Sequence, residues 1–212
     1  MKYRFTEPIE KKRSSCYGNN YFIFKSRKLM REVTVFSNLE YDNIICLEMD
    51  YHVEWYCERP VKESFYIDGH KKIAEPDIYV KYKNGEEEFQ IVTYDLTDAG
   101  DEIHLWAAQC NEKINIRTPK DIYIGPFFTR NISYLAMNSR HYQDSSSYAD
   151  ANILRYISSA GVVSVGQLIN TGILTQTTGI TYLSDLYYRG LIDFVDIAET
   201  SFSYRTEVKI VG

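Results

Sequence analysis

The spacing of apolar residues changes along the first part of the chain and divides it into predicted elements. Ser37 and Glu40 are spaced as in a capping box, and the apolar residues after them recur at helical spacing, which predicts a helix over residues 37–50. Residues 52–94 then form short β-rich runs separated by Asp-Gly and Asn-Gly pairs. This pattern predicts four strands, the last two paired antiparallel, over residues 52–57, 63–67, 77–83 and 87–94.

The remaining chain carries signals for further helices and for a second domain. The elements predicted next are a helix, a strand and a helix, over residues 98–113, 121–124 and 127–141. A short polar segment, residues 143–147, predicts a linker after a first domain over residues 37–142. Beyond it the pattern predicts three helices and then two strands, over residues 148–160, 165–170, 175–188, 191–197 and 203–210. That order is the plan of a winged helix-turn-helix module over residues 148–212.

Composition is that of a folded protein. The chain has 212 residues, of which 44% are hydrophobic and 25% are charged, close to the globular average. No run approaches the ~20 consecutive apolar residues that a bilayer span requires, and the first residues do not resemble a signal peptide. We therefore expect a cytoplasmic protein with no membrane partner. The four cysteines stand far apart and indicate neither a zinc site nor a disulfide framework.

Charge is distributed unevenly along the chain. The formal net charge is −5, yet residues 1–31 contain nine Lys or Arg against two Glu, whereas residues 32–100 contain sixteen acidic residues against six basic ones. A basic arm over residues 1–36 suits contact with the DNA backbone, and a solvated tail is the alternative explanation. The residues that we expect to contact DNA are Lys11, Lys12, Arg13, Lys25, Arg27 and Lys28.

Three oxygen-bearing side chains in the first domain predict a metal site. Glu40 lies on the predicted inner face of its helix, Asp77 follows Pro76 at the head of a strand, and Gln90 points toward the same sheet edge as Asp77. Two carboxylates and an amide oxygen suit a hard cation such as Mg²⁺ or Mn²⁺. Structural roles are the alternative, because Glu40 completes a capping box by reaching the Ser37 amide and Asp77 satisfies turn amides.

A Glu on a first helix, a Pro-Asp pair at one strand and a Gln on the next form the skeleton of a PD-(D/E)xK nuclease. More specific matches lie between Ser26 and Val92, and they are Ser37-Asn38-Leu39-Glu40, Cys46-Leu47-Glu48-Met49-Asp50, Val53-Glu54-Trp55-Tyr56-Cys57-Glu58-Arg59-Pro60, Asp68-Gly69-His70 and Pro76-Asp77. Through these segments the sequence resembles the TnsA family, the endonuclease subunits of heteromeric transposases. Gln90 strengthens the resemblance, because that family has Gln where most such nucleases carry a carboxylate.

The resemblance spans nearly the whole chain and implies a fold, an activity and partners. The implied fold is α/β, with a restriction-endonuclease-like mixed sheet flanked by helices and then a small winged-helix domain. The implied activity is Mg²⁺-dependent nicking of 5′ strands at the ends of a transposable element, with a metal site formed by Glu40, Asp77, Gln90 and the Ile91 carbonyl. The implied partners are double-stranded DNA, a TnsB-like transposase and, through the C-terminal domain, a TnsC-like ATPase.

The sequence departs from the TnsA family where the resemblance expects a catalytic lysine, because that position is Val92. A lysine there would stabilise negative charge on the attacked phosphate, which an apolar side chain does not. Lys81 is a candidate substitute cation because it shares a strand face with Asp77, although it lies about 13 Å along the strand. A catalytically impaired TnsA-like adaptor or regulator, acting through protein and DNA binding, is therefore the alternative function.

The predicted recognition helix of the C-terminal domain is poor in positive charge. Residues 175–188 contain no Lys or Arg, and they include Asp185. Because phosphate contacts rely heavily on Lys and Arg, this helix favours binding to protein over binding to DNA. A winged-helix DNA-binding regulator is a third hypothesis, and it rests on the predicted C-terminal fold alone.

Overall fold

A computed structural model describes residues 3–11, 20–95, 100–141 and 147–212, and these ranges contain eleven strands and seven helices. The protein is therefore a mixed α/β structure, as the sequence predicts. By their contacts the residues form two compact units, Met1–Leu47 with His52–Ile122 and Glu48–Tyr51 with Tyr123–Gly212. Within the described ranges, no helix has the length and apolar character needed to cross a membrane.

The first unit contains two hairpins, a four-stranded sheet and three helices. The hairpins are β1 (Phe22–Lys25) with β2 (Glu32–Val35), and β4 (Glu63–Ile67) with β5 (His70–Ala74). The sheet has the order β3 (Val53–Glu58), β6 (Ile78–Tyr82), β7 (Glu87–Val92) and β8 (Ile114–Arg117). β3 pairs antiparallel with β6, and β6 pairs antiparallel with β7, whereas β8 is parallel to β7. The helices are α1 (Asn38–Met49), α2 (Gly100–Cys110) and the short α3 (Pro119–Ile122).

Helices α1 and α2 lie on opposite faces of this sheet. Phe89 of β7 packs in a buried cluster with Ile103 and Trp106 of α2. The next residue, Gln90, accepts a hydrogen bond from Asn43 of α1. Because successive side chains of a strand point to opposite faces, α1 covers one face and α2 covers the other.

Local signals in the sequence explain where these elements begin and turn. The Glu40 amide donates to Ser37 Oγ at 3.1 Å, which confirms the predicted start of α1. Asp68 and Gly69 both have positive φ, at 50° and 80°, as the tight turn between β4 and β5 requires. The predicted antiparallel hairpin at Asn84-Gly85 is also confirmed, as β6 and β7.

The prediction of a strand over residues 121–124 is wrong. Residues 119–122 form α3, and the strand lies earlier, at Ile114–Arg117. Asp121 explains the helical turn, because its carboxylate accepts hydrogen bonds from the Thr118 amide at 2.8 Å and the Thr118 hydroxyl at 2.7 Å. The pairing of β8 with β7 is a tertiary contact, which the local pattern of residues 114–117 does not reveal.

Part of the predicted basic arm is folded into the first unit. Residues 22–35 contain the β1–β2 hairpin, in which Phe24 and Val33 are buried. Strand β5 was also not predicted. Its sequence, His-Lys-Lys-Ile-Ala, is largely polar and exposed, so it lacks the apolar alternation of a strand that covers a core.

The second unit contains four described helices and three short strands. They are α4 (Phe128–Ser139), α5 (Ser147–Ala160), β9 (Val162–Ser164), α6 (Val165–Asn170), α7 (Gly179–Tyr188), β10 (Ile192–Phe194) and β11 (Glu207–Ile210). The strands form an antiparallel sheet in the order β10-β11-β9. Helix α4, which the sequence assigned to the first domain, packs against α7. Residues 143–146 of the predicted linker, which spans residues 143–147, lie outside the described residues.

Candidate active site

Asp77 lies in a row of residues that are joined by backbone hydrogen bonds beside the four-stranded sheet. The Asp77 amide donates to the Gln90 carbonyl at 3.0 Å, and the Arg59 amide donates to the Asp77 carbonyl at 2.6 Å. The Ile9 amide in turn donates to the Arg59 carbonyl at 2.9 Å. The N-terminal segment therefore lies beside the chain that leaves β3, and the row brings four sequence-distant residues into register.

The Asp77 carboxylate is partly buried and is held by a single backbone donor, the Val92 amide, at 2.7 Å from Oδ2. Burial raises the pKa of Asp77 to about 7, although the hydrogen bond from Val92 opposes this rise. The negative charge of Glu40 raises the pKa further, while Lys11 and Arg59 lower it. A carboxylate whose pKa is raised by burial and by a second acid is a candidate functional group.

Glu40 combines a capping role with a place near Asp77. Its Oε2 accepts a hydrogen bond from the Phe36 amide at 3.1 Å, whereas the capping box predicted a bond from the Ser37 amide. Glu40 thus stabilises the start of α1 with one carboxylate oxygen. Within the described part of the chain, no hydrogen bond reaches Oε1 of Glu40 or Oδ1 of Asp77, so each carboxylate keeps one oxygen for a ligand.

The Gln90 side chain is buried in a polar network on the α1 face of the sheet. Its Oε1 accepts a hydrogen bond from Asn43 at 2.8 Å, and its Nε2 donates to Glu88 Oε1 at 2.9 Å. Gln90 is therefore adjacent to Asp77 through the backbone, while its side chain is fixed by Asn43 and Glu88. The amide oxygen keeps a second lone pair, which is the part of Gln90 that remains for a cation.

Asn43 and Glu88 were not selected from the sequence, although the position of each relative to Glu40 or Gln90 could have pointed to it. Glu88 shares a strand face with Gln90, and Asn43 follows Glu40 by almost one helical turn. Both side chains are buried, and Asn43 also accepts a hydrogen bond from Arg117 Nε at 3.3 Å. Polar residues on the inner faces of a helix and a neighbouring strand must find partners, and here they find each other.

No lysine stands at position 92, and the proposed substitute is otherwise engaged. Val92 is partly buried, and only its amide contacts Asp77. The Ile91 side chain packs against the cluster on the α2 face. The Lys81 ammonium pairs with Glu87 at 3.1 Å, so the structure gives it a partner other than Asp77.

A cavity of about 420 Å³ opens beside Asp77. Its walls come from the N-terminal segment, from the chain after β3 and from the chain before β6, and they are Ile9, Glu10, Lys11, Arg59, Val61, Lys62, Glu75, Pro76 and Asp77. Lys62 and Glu75 form an ion pair with each other. The cavity lies within the size range of small-ligand sites and carries both signs of charge, so it can receive an anionic group beside the carboxylates.

The basic residues expected to contact DNA differ in their surroundings. Lys11 and Lys25 are exposed, and Arg27 is partly buried. The Lys28 ammonium donates to the Leu47 carbonyl at 2.7 Å, which is a structural role near the end of α1. Lys12 and Arg13 lie outside the described residues.

The donor set around Asp77 fits a divalent cation. Across the described residues, no group of three or more His, Cys, Asp or Glu side chains is placed to hold a metal ion. A cation here would instead be held by the carboxylates of Glu40 and Asp77 with neutral oxygens, such as that of Gln90. A cation would stabilise a partly buried carboxylate beside a second negative charge, so the raised pKa of Asp77 supports this fit.

Comparison with known proteins adds no assignment to this geometry. No protein-family model matches the chain, and no curated protein matches it. The residues of the site are therefore the basis for a proposal about the function of this protein.

Proposed function

We propose that the protein is a TnsA-like DNA endonuclease subunit of a transposition complex, which nicks 5′ strands at element ends with Mg²⁺ or Mn²⁺. The observation that carries this proposal is Asp77, a partly buried acid that lines a cavity and whose pKa is raised by burial and by the charge of Glu40. Paired carboxylates that bind a divalent cation are a common basis for phosphodiester cleavage.

The topology of the first unit supports the proposal. Glu40 is on the first helix, Asp77 is at the head of β6 and Gln90 is on β7, next to Asp77 in the backbone row. This is the order of elements and side chains that the resemblance to PD-(D/E)xK nucleases implies. The same region holds the cavity, so an extended phosphate chain has a place to lie against the acids.

The residues of the site take separate roles in the proposed reaction. A divalent ion bound here would act as a Lewis acid toward the phosphate and would lower the pKa of a bound water. Glu40 and Asp77 would hold that ion, each with the oxygen that no described donor occupies. The Val92 amide fixes the orientation of Asp77, and the network of Asn43 and Glu88 fixes that of Gln90.

The second unit supports a role in protein binding. Its order of α5, β9, α6, α7, β10 and β11 is consistent with a winged helix. Helix α7 has no Lys or Arg within Gly179–Tyr188, and Asp185 is fully buried and pairs with Arg189 at 2.7 Å. Low positive charge on this helix is the reason to assign the unit to a TnsC-like ATPase rather than to DNA.

A cavity of about 360 Å³ in the second unit is the surface that we assign to this partner. It is formed by α4, by α6 and α7 and by the segment before β11, and it is lined by Arg130, Asn131, Tyr134, Val165, Ile169, Gln176, Ile180, Ser201, Phe202, Ser203 and Tyr204. Tyr134 and Tyr204 are exposed, and exposed aromatic side chains are common anchors of protein interfaces.

Strand-specific nicking tests the proposed activity. Linear DNA carrying an element end, labelled separately on each strand, is incubated with the protein, its TnsB-like and TnsC-like partners and Mg²⁺. We expect 5′-strand nicks that disappear with EDTA and with Asp77→Ala. Glu102→Ala is the matched control, because Glu102 is an exposed acid of α2 that pairs with Lys72 of β5. Absence of nicks under every partner combination would contradict the proposal.

Val92 favours a second candidate function, that of an adaptor without nuclease activity. In that case Asp77→Ala leaves the transposition frequency unchanged. The double substitution Arg130→Ala with Tyr134→Ala lowers it, because both residues line the cavity of the second unit. The nuclease proposal predicts that Asp77→Ala alone abolishes transposition, so one genetic assay separates the two functions.

A further inference from the structure

The N-terminal segment approaches the acidic pair through a two-way contact with Arg59. The Ile9 amide donates to the Arg59 carbonyl at 2.9 Å, and Arg59 Nε donates to the Ile9 carbonyl at 3.1 Å. The Arg59 amide in turn donates to the Asp77 carbonyl at 2.6 Å. Lys11 follows Ile9 by two residues and lines the same cavity as Asp77.

The ammonium of Lys11 lies beside the start of α1. Its Nζ is 5.3 Å from the centre of the Phe36 ring, and the Phe36 amide donates to Glu40 at 3.1 Å. Phe36 thus links Lys11 to one acid, and the cavity that Lys11 lines is shared with the other acid, Asp77. Lys11 therefore brings a cation to the cavity from a part of the chain remote from the nuclease motif.

Lys11 differs from the other cations of the cavity in being available to a ligand. The guanidinium of Arg59 donates to Thr34 O at 2.6 Å, to Thr34 Oγ1 at 3.0 Å and to Ile9 O at 3.1 Å. Lys62 pairs with Glu75. Lys11 is exposed, and the described residues offer its ammonium a ring face but no hydrogen bond or ion pair.

We propose that Lys11 binds the scissile phosphate in this cavity and supplies the positive charge that Val92 does not. This inference rests on the proposed nuclease function and deepens it. Cleavage of a phosphodiester places negative charge on the phosphate oxygens, and a positioned ammonium stabilises that charge. Lys11 can take this role, because it is an exposed cation with no ion-pair partner among the described residues and it lines the same cavity as Asp77.

Single-turnover nicking at saturating DNA tests the role of Lys11. We expect Lys11→Ala to lower the nicking rate by about 10²-fold or more, and Lys11→Arg to retain a larger part of the rate. Lys71→Ala and Lys72→Ala are matched controls, because one removes an exposed cation of β5 and the other a paired cation of the same strand, and neither lines the cavity. Both controls should stay within about threefold of the wild type, since single solvated or paired surface charges contribute little.

Rescue from position 92 separates a role in the reaction from general DNA affinity. Adding Val92→Lys to Lys11→Ala should recover at least about tenfold in rate, because the new ammonium starts beside the Asp77 contact. Equal losses for Lys11→Ala and Lys25→Ala would show a shared contact with the DNA backbone and would overturn the proposal. Full activity of Lys11→Ala would overturn it as well.

A binding measurement without DNA provides a readout besides activity. Lys11 repels a divalent cation held by Glu40 and Asp77, so Lys11→Ala should bind Mn²⁺ about three- to tenfold more tightly than the wild type. Unchanged Mn²⁺ affinity in Lys11→Ala, with loss of binding in Asp77→Ala, would overturn the placement of Lys11 and leave the metal site standing. If Asp77→Ala nicks DNA at the wild-type rate, the proposed function itself would be overturned.

Discussion

Asp77 in the first unit and Asp185 in the second unit are acids whose surroundings differ in kind. Asp185 is fully buried, and its carboxylate pairs with Arg189 at 2.7 Å; Arg189 also pairs with Asp150 at 2.5 Å. Asp77 has a backbone amide and a second acid, Glu40, near its carboxylate. A buried charge needs compensation. The chain itself compensates Asp185, whereas Asp77 is left for compensation by a ligand.

Burial alone does not explain this difference, because the first unit also contains a compensated acid. Glu58 is 1% exposed, and Arg31 binds both of its carboxylate oxygens, at 2.8 and 2.7 Å. A bidentate arginine–carboxylate pair of this kind is a strong and specific structural contact. Glu58 and Asp185 therefore stabilise their units, and the acid without such a partner is the one that the site can use.

The largest expected effect is that of Asp77→Asn on nicking. We expect a loss of at least about 10²-fold, because the amide cannot supply the charge that holds a divalent cation. Folded stability should be unchanged or higher, since the substitution removes a negative charge near Glu40. Single-turnover rates and urea unfolding measure the two quantities. Normal nicking by Asp77→Asn would contradict the assignment of Asp77 to a functional site.

Asp185→Ala should have the opposite profile. It removes the fully buried one of two acids that pair with Arg189, and we expect the free energy of unfolding to fall by about 2–3 kcal/mol. Urea denaturation followed by circular dichroism measures this change, with Asp193→Ala as the control because the Asp193–Lys209 pair is exposed. A loss below about 0.5 kcal/mol, the size expected of a surface pair, would remove the contrast with Asp77.

The pH dependence of stability provides a third test. The pKa of Asp77 is raised from 3.8 to about 7, so in the absence of divalent ions its contribution to folding is complete below pH 4. That contribution is lost as the pH rises through about 7, by about 1–2 kcal/mol after allowance for solvent screening. Asp77→Asn should remove this decline. Saturating Mg²⁺ should also suppress it, because bound cation favours the ionised carboxylate.

Lys81→Ala should have the smallest effect. Lys81 and Glu87 form a partly exposed ion pair, so its loss should change the free energy of unfolding by no more than about 0.5 kcal/mol. Nicking should remain within about twofold of the wild type, in contrast to Lys11→Ala. A large loss of nicking without a loss of stability would indicate that Lys81, and not Lys11, is the substitute cation.

Elements whose signals are local were predicted well. Helix α1 begins where the capping residue Ser37 predicts, and the β6–β7 hairpin forms around Asn84-Gly85. Elements that depend on a neighbouring strand were missed or misplaced. Strand β8 lies between the helix predicted over residues 98–113 and the strand predicted over 121–124, and β9 is only three residues long, Val162–Ser164, so its apolar pattern is too short to mark a strand.

The candidate site likewise contains residues that the sequence predicted and residues that only tertiary contacts bring together. Glu40, Asp77 and Gln90 were chosen from residue type and from their place on predicted elements, and these elements form as expected. The partners of Gln90 were not chosen, because Asn43 and Glu88 become its neighbours only when α1 lies on β7. Lys11 was assigned to DNA contact from its charge, and its approach to Asp77 depends on the row of backbone hydrogen bonds through Arg59.

The sequence by itself determined the local elements, the position of the acids within them and the absence of a lysine at position 92, because capping, turn and periodicity signals act over a few residues. The tertiary structure decided which acids are compensated. Glu58 acquires Arg31 from the loop between β1 and β2, whereas Asp77 acquires a second acid from a distant helix. The energy of a charge depends on all groups within a few ångströms, and that neighbourhood exists only after the sheet and helices have packed.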